Sequence, residues 1–280
     1  MPQPPVHVLA FDTSTEQLAV GLHSPLRPQA ELLAGPQAEL LAGPLTQKLT
    51  GPMTAQQTRP LTLVAAGGAA ASATLLPHIQ ALLTRAGLVY ADLDAIAFGA
   101  GPGAFTGLRT ACAVAQGLGY GLGLRLWPLD SLLIVAEDAR LQTAAGAGAG
   151  AFDVGVAMDA RMDEVYAGRY RWSDGRWQVL QAPALYTLPA LTQAWAGLSI
   201  DALAGSALSV WGDRLCLPPA HARFPREHDR AAALLRLAVQ GVAAGAGIDA
   251  AAALPLYLRD KVALTTRERD AVRAAAVAAA

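Results

Sequence analysis

The sequence predicts an α/β protein made of two similar halves, each a mixed sheet flanked by helices. Three observations carry that expectation. The chain opens with two short apolar runs joined by a polar tip, Asp12-Thr13-Ser14-Thr15. A further apolar run leads into a glycine-rich turn, Ile96 to Arg109, and then into a helix of small residues. From Leu124 onward a second set of strand and helix signals follows in a comparable order.

The elements are predicted in turn. Val8 to Phe11 and Leu18 to Leu22 make a hairpin, and Leu61 to Ala65 a third strand. Between them, Gln-Ala-Glu-Leu-Leu-Ala-Gly-Pro occurs at 29–36 and again at 37–44, with a degenerate copy at 45–52. Eight residues are too few for a solenoid unit and each Gly-Pro interrupts helix, so 25–60 is expected to be a duplicated, mobile surface insertion. Leu75, Leu76, Ile79, Leu82, Leu83 and Ala86 recur at helical spacing, and Gly87 closes that helix. Leu93 to Phe98 is a strand and Leu108 to Leu118 a helix. Leu124 to Leu129 is a strand, after which Ser131 is expected to cap a helix through Ala139. Residues 142–151 read as a flexible Ala/Gly loop. Phe152 to Met158 is a strand; Glu164 to Arg171 and Trp177 to Ala182 form a hairpin about Ser173-Asp174-Gly175. Leu188 to Ala196 is a helix, Ile200 to Ala204 a strand ending at Gly205-Ser206, and Asp229 to Gly241 a helix burying Leu234, Leu235, Leu237 and Ala238. The tail after Arg267 is Ala-rich and expected to fray.

Four glycines, Gly99, Gly101, Gly103 and Gly107, lie between strand and helix in the central stretch. Such a turn permits positive φ and close approach of backbone N–H groups to an anion at a helix N-terminus. A tight turn that only packs the helix onto the sheet is the alternative. Neither a Walker nor a dinucleotide template fits, because no Gly-Lys-Ser/Thr follows and no acidic residue stands at the later position. Asp12 with Thr13 and Ser14 resembles the phosphate-facing hairpin of actin-like folds, where the carboxylate holds hydrated Mg²⁺. These side chains also favour tight turns without any ligand. The phosphate-loop candidates are therefore Asp12, Thr13, Ser14, Gly101, Gly103, Thr106 and Gly107.

Leu-Ala-Phe-Asp-Thr-Ser-Thr-Glu (9–16) and Gly-Pro-Gly-Ala-Phe-Thr-Gly-Leu-Arg (101–109) resemble the bacterial TsaB (YeaZ) family of threonylcarbamoyladenosine-biosynthesis accessory proteins. Met158-Asp159-Ala160-Arg161 with Glu164-Val165-Tyr166 resembles the family's central signature, and Pro255-Leu256-Tyr257-Leu258-Arg259 its carboxy-terminal one. The signature candidates are Asp159, Arg161, Glu164, Tyr166, Tyr257 and Arg259. Where the family shows His-Ser-Glu before its first helix, Ala71, Ser72 and Ala73 stand here. The resemblance implies two actin-like (ribonuclease H-like) lobes, residues 1–115 and 116–280, with the helix near 230–241 packing back on the first. It implies a non-catalytic scaffold that supports a TsaD-like catalytic subunit, together with a TsaE-like ATPase, in N6-threonylcarbamoyladenosine modification of tRNA beside the anticodon. No intrinsic cofactor is implied, although ATP or ADP with Mg²⁺ has a place at the partner junction. The family's two helices that meet TsaD, and that also self-associate into a homodimer, correspond to Leu75, Leu76, Ile79, Leu82 and Leu83 on one helix and Ala111, Cys112, Ala115 and Leu118 on the other.

Composition bounds the alternatives. With 21 Lys and Arg against 22 Asp and Glu, there is no basic excess with which to hold nucleic acid alone; the resemblance implies that tRNA is reached through the complex. Two cysteines make no disulfide framework, which suits a reducing cytoplasm. Met-Pro-Gln-Pro-Pro is no signal peptide, and Leu61 to Thr84, interrupted by Gly67-Gly68, Pro77 and His78, is no transmembrane helix. His7, His23, His78, His221 and His228 include no i, i+4 pair, so no metal site is expected. The alternative function is an autonomous enzyme, an actin-like ATP-dependent kinase or a metallopeptidase-like hydrolase. A kinase would need a second phosphate hairpin, and only Gly205-Ser206 is visible. Asp159, Arg161 and Glu164 read as an ion-paired group more readily than as an acid–base set.

Overall fold

The computed structural model describes residues 6–24, 60–143, 150–245 and 247–259. Most of the repeat insertion, the middle of the Ala/Gly loop and the Ala-rich tail lie outside the described residues. The first sheet is built from β1 (Val8–Asp12), β2 (Gln17–His23), β3 (Leu61–Ala66), β4 (Ala95–Gly101) and β5 (Leu126–Asp130), in the spatial order β3-β2-β1-β4-β5. β1 pairs antiparallel with β2 and β2 with β3, whereas β4 runs parallel to β1 and β5 to β4. The second sheet is built from β6 (Phe152–Asp159), β7 (Glu164–Ser173), β8 (Arg176–Thr187), β9 (Ala202–Ala204) and β10 (Ala222–Phe224). Its order, β8-β7-β6-β9-β10, repeats the first with the same strand directions. Two mixed five-stranded sheets with flanking helices are the doubled α/β architecture expected from the sequence.

Side-chain alternation sends each sheet's two faces to different helices. On β1, Leu9 and Phe11 join the core formed with α1 (Ala71–Ala86) and α2 (Phe105–Leu122), while Val8 and Ala10 meet α6 (Arg230–Ala244). β1 is covered on both faces and all five of its residues are buried, which is why it reads as an unbroken apolar run up to Asp12. On β6, Phe152, Val154 and Val156 pack with Leu132, Val135, Ala136 and Ala139 of α3 (Ser131–Gln142). Ala157 turns instead toward Leu191 and Trp195 of α4 (Leu188–Trp195) and Ala207 of α5 (Ala207–Val210). α3, which follows β5, thus lies on the second sheet, and α6, which follows β10, lies on the first. α6 approaches closely, because a Cβ at Gly21 would stand 2.9 Å from Leu235 Cβ.

Local signals place most of the ends. Gly87 and Gly123 terminate α1 and α2 in the left-handed conformation, and Asp229 caps α6 by accepting from Ala232 N at 3.0 Å. Three expectations are corrected. Asp130, rather than Ser131, caps α3, accepting from Leu132 N at 2.9 Å; the Ser131 hydroxyl accepts from Gly101 N at 3.1 Å. β4 runs through Gly99 and Gly101, which pair with Leu129 and Asp130, so half of the expected glycine turn is strand. A boundary at 115 falls inside α2, and β5 still completes the first sheet; the halves divide after β5.

Candidate functional site

The first hairpin and the glycine loop meet face to face. Asp12, Thr13 and Ser14 are 0, 0 and 2 % exposed. The Asp12 carboxylate accepts from Ser14 N at 3.2 Å and from Ser14 Oγ at 2.9 Å. Thr13 Oγ1 donates to Gly107 O at 2.6 Å, and Ala104 N donates to Ser14 O at 2.7 Å. A Cβ at Gly107 would collide with the Thr13 carbonyl, one at Gly103 with Ser14, and one at Gly99 with the Asp12 carboxylate. These glycines are required by chain-to-chain closure. Of the other loop candidates, Gly101 (φ +118) lies against the Leu256 carbonyl and Thr106 is exposed, so neither joins the hairpin tip.

The partner of Asp12 comes from the far end of the chain. Arg230, 1 % exposed at the first turn of α6, donates through Nε to Asp12 Oδ2 at 2.7 Å, and its Nη2 lies 2.5 Å from the same oxygen. Nη2 also donates to Ser14 Oγ at 2.9 Å, and Nη1 to Glu227 Oε2 at 2.5 Å. Burial pushes the Arg230 pKa down, but the charges of Asp12 and Glu227 and their hydrogen bonds outweigh it, so the guanidinium is held firmly charged. Mg²⁺ in an actin-like hairpin needs a carboxylate free to receive it. Here that carboxylate is already neutralised and shut off from solvent, and the residues do not fit a resident metal. Among the described residues, no group of three or more His, Cys, Asp or Glu side chains could hold one elsewhere.

Beside this cluster lies a cleft of ≈ 710 Å³ between the two halves. One wall is the hairpin tip and the loop from Pro102 to Leu108; the other is the β6–β7 turn, α5 and the 225–230 segment. The β6–β7 turn occupies, in the second half, the place that Asp12–Thr15 holds in the first, and Asp159 ends β6 as Asp12 ends β1. The second hairpin is therefore present, and its tip, Ala160 to Asp163, lacks the hydroxyls by which it would be recognised. Arg161, Met162 and Asp163 all adopt positive φ, 65°, 57° and 55°. Arg161 bonds Glu16 at 3.3 Å and approaches Asp159 at 3.8 Å.

The carboxy-terminal segment spans the cleft. Leu256 N donates to Ala100 O at 2.7 Å, and Tyr257 packs on Phe105 with ring centroids 5.0 Å apart while accepting from Arg109 Nε at 3.0 Å. Two residues on, Arg259 Nη2 donates to Ala160 O at 2.9 Å, to Arg161 O at 3.2 Å and to Glu164 Oε2 at 2.5 Å. Arg259 thus ties down the left-handed turn. Tyr166 lies nearby, its pKa raised chiefly by burial. The six signature positions all gather about this cleft, but Asp159 and Glu164 are paired to different arginines.

The partner-surface candidates on the helices require correction. Leu75, Ile79, Leu82 and Leu83 are 0–2 % exposed, and Ala111, Cys112 and Ala115 0–4 %. All seven belong to the core between α1, α2 and the first sheet, because that helix stripe already has β1 and β2 to cover. Only Leu76, 46 % exposed, and the half-buried Leu118 reach the surface. On α2 the exposed positions are Thr106, Arg109, Ala113, Gly117, Tyr120 and Gly121.

Sequence reasoning missed the polar residues that join the halves. Glu137 is fully buried and accepts from Arg140 at 2.8 Å, Arg236 at 2.9 Å and Trp177 Nε1 at 2.9 Å. Burial pushes its pKa up, but these hydrogen bonds and the charge of Arg140 prevail and the net direction is down. Asp130 accepts from Tyr170 OH at 2.6 Å; burial pushes both pKa values up. Arg230 did leave a signal: it shares the buried face of α6 with Leu234, Leu237 and Ala238, and a buried arginine demands a buried carboxylate.

No helix among the described residues is long and apolar enough to cross a membrane. A family model described as TsaD, tRNA N6-adenosine threonylcarbamoyltransferase, matches residues 67–266. The tRNA threonylcarbamoyladenosine biosynthesis protein TsaB of Escherichia coli is 32% identical over 196 residues, covering 68% of this chain and 80% of that protein. TsaB of Haemophilus influenzae is 42% identical over 93 residues, 33% of this chain and 36% of its own length. Among solved structures, YeaZ from Pseudomonas aeruginosa superposes with a TM-score of 0.66 at 31% identity, covering 90% of this chain and all of that one. With its four motifs in order, its doubled sheet and a relative matched over most of its length, the chain belongs to the TsaB (YeaZ) family.

Proposed function

We propose that this chain is a non-catalytic scaffold in the biosynthesis of N6-threonylcarbamoyladenosine in tRNA, supporting a TsaD-type catalytic subunit. The observation that carries the reading is the state of the first hairpin. Its fold is that of a phosphate-binding actin-like half, yet its carboxylate is neutralised by Arg230 and its hydroxyls are engaged by Asp12, Arg230 and Gly107. An autonomous kinase or metallohydrolase would need those groups free. The names of the TsaB relatives supply the pathway. A TsaE-like ATPase belongs to the same proposal, and tRNA is reached through the complex.

The partner surface is proposed on the exposed face of α1 and α2, where Leu76 is solvated and a side chain at Gly117 would meet only open space. The test is co-purification with the cognate TsaD-type subunit, for wild type and for Leu76→Glu with Gly117→Arg. Neither substitution enters the core, and removing a mid-helix glycine favours the helix by about 1 kcal/mol. Complex formation by wild type, its loss in a folded variant, and no ATP turnover by the isolated chain support the scaffold. ATP hydrolysis by the chain alone, with no complex, favours the autonomous enzyme.

A further inference from the structure

We infer that Arg230 is a built-in cation standing in the metal's place at the first hairpin, so that α6 is seated there without divalent metal or nucleotide. Three oxygen acceptors converge on one guanidinium: the Asp12 carboxylate at 2.5 and 2.7 Å, Glu227 at 2.5 Å and Ser14 Oγ at 2.9 Å. Two carboxylates and a hydroxyl are the oxygen set a hard divalent cation takes. The guanidinium satisfies them with fixed, permanently charged donors and needs no loading step. Its position also differs in kind from a bound ion. Arg230 is part of α6, so the charge that neutralises β1 simultaneously fastens that helix to the first hairpin across 218 residues of sequence. Val8, Ala10 and Ala19 then pack against Ala231, Leu234 and Leu235 behind it. A metal-dependent hairpin closes when its ligand arrives; this one is closed by its own chain. The inference does not rest on the scaffold reading, since it concerns one buried cluster and applies equally to an autonomous protein.

Removing the guanidinium should expose the oxygen set it covers. The experiment follows thermal unfolding of the full-length chain in EDTA, in millimolar MgCl₂ and in MgCl₂ with ATP, for wild type, Asp12→Asn, Arg230→Met and the double variant Asp12→Asn with Arg230→Met. Wild type should unfold at the same temperature in all three media. Arg230→Met should unfold roughly 10 °C lower in EDTA, as expected when one member of a buried pair is lost, and regain part of that in MgCl₂. The double variant should be more stable than Arg230→Met in EDTA and indifferent to magnesium. A magnesium-dependent rise in the wild type that vanishes in Asp12→Asn would overturn the inference, as would a folded Arg230→Met that magnesium does not stabilise. Should Arg230→Met fail to fold, the double variant decides: recovery of a folded protein supports the pairing, and failure to recover overturns it.

Discussion

The β1–β2 and β6–β7 hairpins hold the same place in two sheets of identical order, and each begins with an aspartate that ends the central strand. Their environments are opposite. Asp12 is fully buried against an arginine that is itself 1 % exposed, beneath a glycine loop that closes on the tip. The side chain of Asp159 is 14 % exposed, and its arginine, Arg161, is 76 % exposed and stands 3.8 Å away. Topology alone therefore does not assign a carboxylate its role. Burial and the partner do, because the same charge pair is weak in water and costly to break where water is excluded. Both tips wall the cleft, but the first roots its carboxylate in the core, whereas the second is a left-handed turn tied down by Arg259.

The contrast can be broken most directly at the two aspartates. Asp12→Asn should lose about 3 kcal/mol of unfolding free energy in urea, by leaving Arg230 buried without its main counter-charge. Asp159→Asn should lose less than about 1 kcal/mol. Equal losses would show the two hairpins to be energetically alike. Next in size is Glu137→Gln, expected to cost about 2–3 kcal/mol because Arg140 and Trp177 lose a buried acceptor. The Glu137 pKa is lowered on folding, so its stabilisation is present at neutral pH and is lost as the pH falls below about 4.5. The variant should unfold with a flatter acid limb than wild type. Asp130 carries the opposite sign: its pKa is raised, so its contribution is present in acid and is lost as the pH rises.

Gly107→Ala sharpens the loop-on-hairpin half of the comparison. A methyl group against the Thr13 carbonyl should cost about 2 kcal/mol through a forced backbone shift, with faster amide exchange at 12–14 and 104–108. A smaller effect is expected at the second hairpin. Arg259→Ala should cost about 1 kcal/mol globally and act locally, raising amide exchange across 160–164 while leaving 12–14 protected. Exchange spreading to the first hairpin would instead mean that the carboxy-terminal segment couples the two.

What could be read directly from residues was local. Val8 to Phe11, the helix stripe ending at Gly87, and the helix start at Asp229 are each set by apolar period and capping chemistry within a few residues, so the strands and helices were legible. The doubled fold followed from their order. The second hairpin escaped notice because its tip is Ala160-Arg161-Met162-Asp163, and position in a sheet, unlike hydroxyl content, leaves no local mark. The direction of a helix face is likewise a tertiary fact: Leu75 and Leu83 suit a partner or a sheet equally well, and the structure covers them with β1 and β2. The sequence by itself determined that Asp12, Thr13 and Ser14 would stand at a hairpin tip beside a glycine loop. Only the tertiary structure decided what they face, since the Asp12–Arg230 pair joins positions 218 residues apart and forms only when α6 docks on β1 and excludes the water that would otherwise screen it.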